Sequence, residues 1–243
     1  MKKCDVIYCD FDGTITKYDA VNMFFDMYTG DKWLESEELW VDGKISSMEN
    51  AIIQVGLLPE IPPSKLDDYI ENIEIDESFL DFVKYTREKN IKLTILSDGF
   101  DLFIHKTLER FNLKNIPVYA NHLVYENNKF KIEFPYHNPN CDKKAGMCKC
   151  EKAPEKEFCY IGDGTSDLCI ASKAHTLFAT KKLHQYCEKN LEYLKEYANS
   201  LGAKALITTE KDAVKIKELK NSDIIKIYAA KLQPDLNVKE VLS

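Results

Sequence analysis

Arginine is nearly missing from this chain. Of 33 basic residues in 243, only Arg87 and Arg110 are arginine, and the net charge is −7. Binding a nucleic-acid backbone needs a basic face, so no nucleic-acid partner is expected. Without guanidinium groups there are also few bidentate clamps for carboxylates. Long apolar runs are lacking too: none approaches the ~20 residues that span a bilayer, and no membrane association is expected. The first residues, MKKCDVIYCDFDG, reach an acid by the fifth position, unlike a signal peptide or an anchor. The eight cysteines form no disulfide pattern, standing mostly alone in apolar stretches, which suits reduced thiols and a cytoplasmic location. What is present, 44% hydrophobic and 30% charged, is ordinary for a globular protein large enough to bury a core.

Strand and helix patterns alternate. Residues 4–9 read as a buried strand, followed by a turn at Gly13–Thr16. From 17 to 75 the pattern is helical, with Met23, Phe24, Met27 and Tyr28 on one face. A capping box at Ser46–Glu49 follows, and Pro59, Pro62 and Pro63 punctuate the end. This segment holds thirteen acids against four lysines, a net of −9. A helix is expected from Asp76 to Asn90, burying Phe79, Leu80, Val83 and Thr86. Next come a buried strand, Ile91–Leu96, and a helix carrying Leu102, Phe103, Leu108 and Phe111. VYANHLVYENNKFKIEF alternates with period two around Asn127-Asn128, a hairpin signal. Another buried strand, Phe158–Ile161, precedes a helix running from after Ile170 to about Ser200, with Leu183, Cys187, Leu191, Leu194 and Leu201 on one face. The last stretch reads strand, helix, strand, with Thr209 as the helix cap. The alternation predicts an α/β fold, a doubly wound parallel sheet with helices on both faces. Its expected division is a core of residues 1–16 and 76–200, a helical insertion over 17–75 and a C-terminal βαβ appendage over 201–243.

Three strands end in polar signatures: Asp10 with Asp12, Ser97, and Asp163 with Asp167. Residues two apart on a strand share a face, so Asp10 and Asp12 should converge. In an open parallel sheet, ligands bind beyond the carboxyl ends of the strands, where all three signatures would meet. Asp10 and Asp163 offer hard oxygens that suit Mg²⁺. Such a set answers the needs of phosphoryl transfer: a nucleophile, charge neutralisation and a proton for the leaving group.

The motifs DFDGTIT, ILSDGFDLFI and IGDGTSDLCIA, in this order, resemble those of the haloacid dehalogenase (HAD) superfamily, whose first motif is DxDx[TV]. The resemblance implies a HAD-like core with the small helical cap of the phosphoserine-phosphatase-like branch. It also implies Mg²⁺-dependent hydrolysis of a small phosphorylated metabolite through an aspartyl-phosphate. Roles follow from it. Asp10 is the nucleophile and a metal ligand; Asp12 is general acid, then base, and lends its main-chain carbonyl to the metal. Ser97 holds a phosphate oxygen with the amides of Asp98 and Gly99. Asp163 is a metal ligand, and Asp167 anchors the metal's waters or the lysine. That lysine could be Lys143, Lys144, Lys149 or Lys152. Lys149 is preferred because GMCKC is similar to the Cys-Lys of the methionine-salvage and phosphocholine branches. Lys152 stays open, since Lys149 precedes Asp163 by only fourteen residues.

Asp19 matches an acid that contacts the substrate amino group in phosphoserine phosphatases, although an acid at a helix N-terminus is also favoured by the dipole. The arginine-free, acidic cap speaks against phosphoserine. Over about residues 1–190 the pattern is most similar to the 2-hydroxy-3-keto-5-methylthiopentenyl-1-phosphate phosphatases. Phosphoserine, phosphocholine and phosphoethanolamine phosphatases are the alternatives. His137, Cys141, Cys148 and Cys150 could close a structural zinc site, but Cys-x-Cys is not the usual spacing, and a packed loop of thiols is preferred. TTEKDAVK resembles the end of tetraacyldisaccharide 4′-kinase. No GxxxxGK[ST] accompanies it, so the tail is read as a βαβ unit packed on the core or on a partner. A non-catalytic interaction module carried by that tail is the competing class. The self-repelling set Asp10, Asp12 and Asp163 argues against it.

Overall fold

The computed structural model describes residues 4–141, 144–189, 205–209 and 226–230. The chain divides into two compact units, Met1–Asp10, Asp76–Leu93 and Ala153–Ser243 in one, Phe11–Ile75 and Thr94–Lys152 in the other.

The first unit is built on parallel strands. β1 (Val6–Cys9), β5 (Cys159–Gly162), β6 (Thr176–Ala179), β7 (Ala205–Thr209) and β8 (Lys226–Ala230) are hydrogen-bonded in that order, every pair parallel. Ile7, Tyr8 and Cys9 are buried, as expected of a strand covered on both faces. Helix α5 (Ser78–Glu88) starts where Asp76 Oδ1 accepts from the Ser78 amide at 2.9 Å. It buries Phe79, Val83 and Thr86, whereas Leu80, expected on that face, is exposed. The expected long helix after Ile170 is corrected. A short α7 (Leu168–Ala171) is followed by β6 and then by α8 (Lys181–Lys189). Thr176–Ala179 instead pairs in parallel with β5 on one side and β7 on the other, which a continuing helix could not do. Leu183 and Cys187 are buried on α8; Leu191, Leu194 and Leu201 lie outside the described residues. So does the helix expected after Thr209, although β7 and β8 pair in parallel as the tail pattern predicts. Reduced thiols are corrected at one place: Cys4 and Cys159 are disulfide-bonded, their Cα atoms 6.2 Å apart. Adjacent strands β1 and β5, with Ile7 opposite Cys159, bring the two together.

The second unit holds α1 (Ala20–Thr29), α2 (Leu34–Val41), α3 (Ser47–Gly56) and α4 (Pro63–Glu71), all following β1 in the chain. It also holds most of β2 (Lys92–Phe100), then α6 (Asp101–Arg110), β3 (Val118–Glu126) and β4 (Lys129–Glu133). β3 runs parallel to β2 and antiparallel to β4. The β3–β4 turn has Asn127 at φ 51° and Asn128 at φ 62°, left-handed values that asparagine tolerates and a two-residue hairpin requires. Phe24, Phe25, Trp33, Leu66, Tyr69 and Ile70 share one core with Phe100, Phe103 and Leu123. Among the described residues, no helix is long and apolar enough to cross a membrane.

Candidate active site

The acids of the first unit converge. Carboxylate oxygens of Asp10, Asp163 and Asp167 lie within 4.8 Å of one another, although 157 residues separate the first from the last. Asp10 and Asp167 are buried and Asp163 is half-buried. β1 and β5 run side by side, and the Asp10 amide donates to Ile161 O at 2.8 Å, extending their ladder by one bond. Asp167 folds back onto the strand: Oδ2 accepts from the amides of Asp163 at 3.0 Å and Gly164 at 2.9 Å, and Oδ1 accepts from the Tyr160 hydroxyl. Lys181 Nζ lies 3.3 Å from Asp163 Oδ2, and Lys181 itself has φ 45°, a left-handed conformation uncommon for lysine. Three carboxylates offering only hard oxygens fit a small divalent cation such as Mg²⁺.

In the second unit, Asp12 is held by two elements. The Ala20 amide, at the first residue of α1, donates to Oδ1 at 3.2 Å, and Ser97 Oγ donates to Oδ2 at 3.3 Å. Tyr69 of α4 donates to Ala20 O, fixing the start of α1 in turn. Before α1, Gly13 adopts φ 70°, and its amide donates to Thr16 Oγ1 at 2.9 Å. β2 bulges where it carries its motif. Leu96 pairs with Tyr119 and Phe100 with Asn121, so Ser97, Asp98 and Gly99 stand opposite one residue of β3. Bulges of this kind re-aim side chains and end regular pairing. Gly99 N–H donates to Ser97 Oγ at 3.0 Å.

Asp98 organises the loop that carries the candidate lysine. It accepts from Asn121 Nδ2 at 3.1 Å and from the Met147 amide at 3.2 Å, while Asn121 Nδ2 also donates to Asp98 O at 2.6 Å. Burial pushes its carboxyl above the usual carboxylate range, opposed first by the charge of Lys149 and then by these hydrogen bonds. Lys149 is buried, whereas the Lys152 ammonium sits over the rings of Tyr136 and Tyr119, 4.9 and 5.7 Å from their centroids.

The profile of the haloacid dehalogenase-like hydrolases matches residues 7–172. The chain belongs to that family. Two relatives named 2-hydroxy-3-keto-5-methylthiopentenyl-1-phosphate phosphatase are similar in sequence. The protein from Brevibacillus brevis is 32% identical over 200 residues, covering 78% of this chain and 88% of the relative. The one from Bacillus velezensis is 29% identical over 196 residues, covering 78% and 83%. A solved phosphoserine phosphatase, described as a phospho-aspartyl intermediate analogue, has a TM-score of 0.59 at 21% identity over 90% of this chain and 100% of its own. The fold is therefore that of the HAD hydrolases, an α/β doubly wound parallel sheet with helices inserted after the first strand.

Other residues singled out in this HAD hydrolase are placed as follows. Asp19 is the N-cap of α1, Oδ1 accepting from the Asn22 amide at 2.9 Å. The zinc set is not assembled. Among the described residues the one grouping of three or more metal-ligating side chains is the aspartate triad. His137 Nδ1 instead lies 3.0 Å from Ala145 O. Tyr160, Asn121 and Lys181 were not anticipated. Tyr160 reads as one more apolar strand residue and Lys181 as one of many lysines; only their partners distinguish them. The family match ends at residue 172, before β6, β7 and β8.

Proposed function

We propose that this hydrolase is a Mg²⁺-dependent phosphomonoesterase of a small metabolite, and that the metabolite is 2-hydroxy-3-keto-5-methylthiopentenyl 1-phosphate, placing the chain in methionine salvage. The convergence of Asp10, Asp163 and Asp167 carries the reading. Three carboxylates this close repel one another and an anionic substrate unless a cation joins them. Asp10, Asp163 and Asp167, with the Asp12 carbonyl, would hold Mg²⁺. When bound, the ion would neutralise phosphate oxygens and leave Asp10 free to act on phosphorus.

In the proposed mechanism Asp10 attacks the phosphoryl group and becomes an aspartyl-phosphate while the substrate alkoxide departs. Asp12 donates the proton to that alkoxide, then removes one from the water that hydrolyses the aspartyl-phosphate. The anchoring of Asp12 by Ala20 and Ser97 suits a group that must point one way in both half-reactions. Ser97 and the amides of Asp98 and Gly99 bind phosphate oxygens, and Lys149 offsets their charge. Helices over residues 17–75 act as the specificity cap, with Asp19 contributing a substrate contact beside Ala20. Arg110 speaks against phosphoserine: its guanidinium donates to Ile70 O and, at 2.5 Å, to Ile73 O, capping the end of α4 rather than serving as a carboxylate clamp.

Hydrolysis of p-nitrophenyl phosphate with and without Mg²⁺ tests the chemistry. Activity should require the cation and disappear in Asp10→Asn; turnover that persists in this variant would refute the mechanism. A panel of metabolite phosphates then tests the substrate. The 2-hydroxy-3-keto-5-methylthiopentenyl ester should show the highest kcat/KM, and a preference for phosphoserine or phosphocholine would overturn that assignment.

A further inference from the structure

Resting on the reading of a magnesium site, we propose that Tyr160 is a positioning residue whose hydroxyl holds Asp167 in the orientation that lets the three acids share one cation. Asp167 has no solvent exposure, so its carboxylate depends on protein donors. Two of its donors, the Asp163 and Gly164 amides at 3.0 and 2.9 Å, belong to the same short loop as Asp167 and bind only Oδ2. They fix that oxygen relative to the loop. Oδ1 accepts from Tyr160, which belongs to β5 itself, paired with β1 through Tyr8 and with β6 through Leu177. The Tyr160 hydroxyl therefore ties the loop acid to a strand hydrogen-bonded on both sides.

Gly162 makes room for this contact. Tyr160 and Gly162 share a face of β5. A Cβ on Gly162 would lie 2.5 Å from Asp167 Oδ2 and 2.8 Å from the Tyr160 ring. Tyr160 is wholly buried. Packing alone would be served by phenylalanine, so the buried hydroxyl is explained by its acceptor.

Isothermal titration with Mg²⁺ tests this in the wild type, Tyr160→Phe, Asp167→Asn and the double variant, each checked for a native thermal transition. Loss of a hydrogen bond to a metal-site carboxylate should weaken Mg²⁺ affinity about 10-fold or more. The double variant should bind no more weakly than Asp167→Asn, because Tyr160 acts through that residue. A Tyr160→Phe affinity within about twofold of wild type, or additive losses in the double variant, overturns the inference while the metal site stands. A wild type that binds no Mg²⁺ overturns the metal site and the inference together. An NMR titration of ring-labelled wild-type protein needs no variant: the Tyr160 resonance should move with Mg²⁺ at the calorimetric midpoint, and an unmoved resonance counts against the role.

Discussion

Gly99 decides where Asp12 stands. A Cβ there would lie 2.1 Å from Asp12 Oδ2 and 3.1 Å from Ser97 Oγ. The obstructing atom ends a side chain that can swing aside, so the fold can absorb a methyl group, and what moves is the proposed acid–base oxygen. Misplacing a reacting group by about 1 Å can cost ~10²-fold in rate. Gly99→Ala is therefore expected to lower kcat on p-nitrophenyl phosphate by about that factor, with Tm changed by less than ~2 °C. Steady-state kinetics beside a thermal melt would show whether activity and stability separate. At this scale legibility depended on locality. Asp10, Asp12 and Asp163 follow the ends of β1 and β5 and Ser97 stands at the bulge inside β2, each within a short motif whose residue types and spacing make it a candidate. The Cys-Lys resemblance favours Lys149, but its short spacing to Asp163 leaves Lys152 open. Their difference is tertiary, one lysine beside Asp98 and the other over two tyrosine rings.

Elements were legible where end signals are chemical. Ser46 and Glu49 form the expected capping box: the Glu49 amide donates to Ser46 Oγ at 3.2 Å, and the Ser46 amide donates to Glu49 Oε2 at 2.8 Å. Ser46→Ala should cost about 1 kcal/mol, lowering Tm by roughly 2–4 °C in a chain of this size. Differential scanning calorimetry would measure it; an unchanged Tm would mean that α3 is held by packing alone. The Asn127-Asn128 turn was legible for the same reason, since few residues accept two successive positive φ values. β6 was not, because the four residues Thr-Leu-Phe-Ala, flanked by helical periodicity, carry no end signal. The bulge in β2 was also invisible: the strand was read as ending at Leu96, yet pairing resumes at Phe100.

At the scale of the molecule, the helices after β1 do not bury their apolar faces by themselves. Phe24 packs against Tyr28 and Tyr69 within the helices, and against Phe103 of α6 and Phe130 of β4, with ring centroids 4.8–5.8 Å apart. Removing such a ring leaves a cavity that collapses poorly, and Phe24→Ala should cost about 3–5 kcal/mol. The loss should be shared. Amides of α1, α4 and the β3–β4 hairpin should lose hydrogen-exchange protection together, as one cooperative unit. Deprotection confined to residues 17–75 would show instead that the helical insertion unfolds by itself.

Composition and local motifs, by themselves, determined the class of chemistry, the alternating α/β plan, the hairpin and the capped helix, because each is written in neighbours a few residues apart. Tertiary structure alone decided that Tyr160 donates to Asp167, that Arg110 caps α4, and that Cys4 bonds to Cys159. Those contacts follow from strand register and helix docking between distant segments, which leave no periodicity for a sequence reader to find.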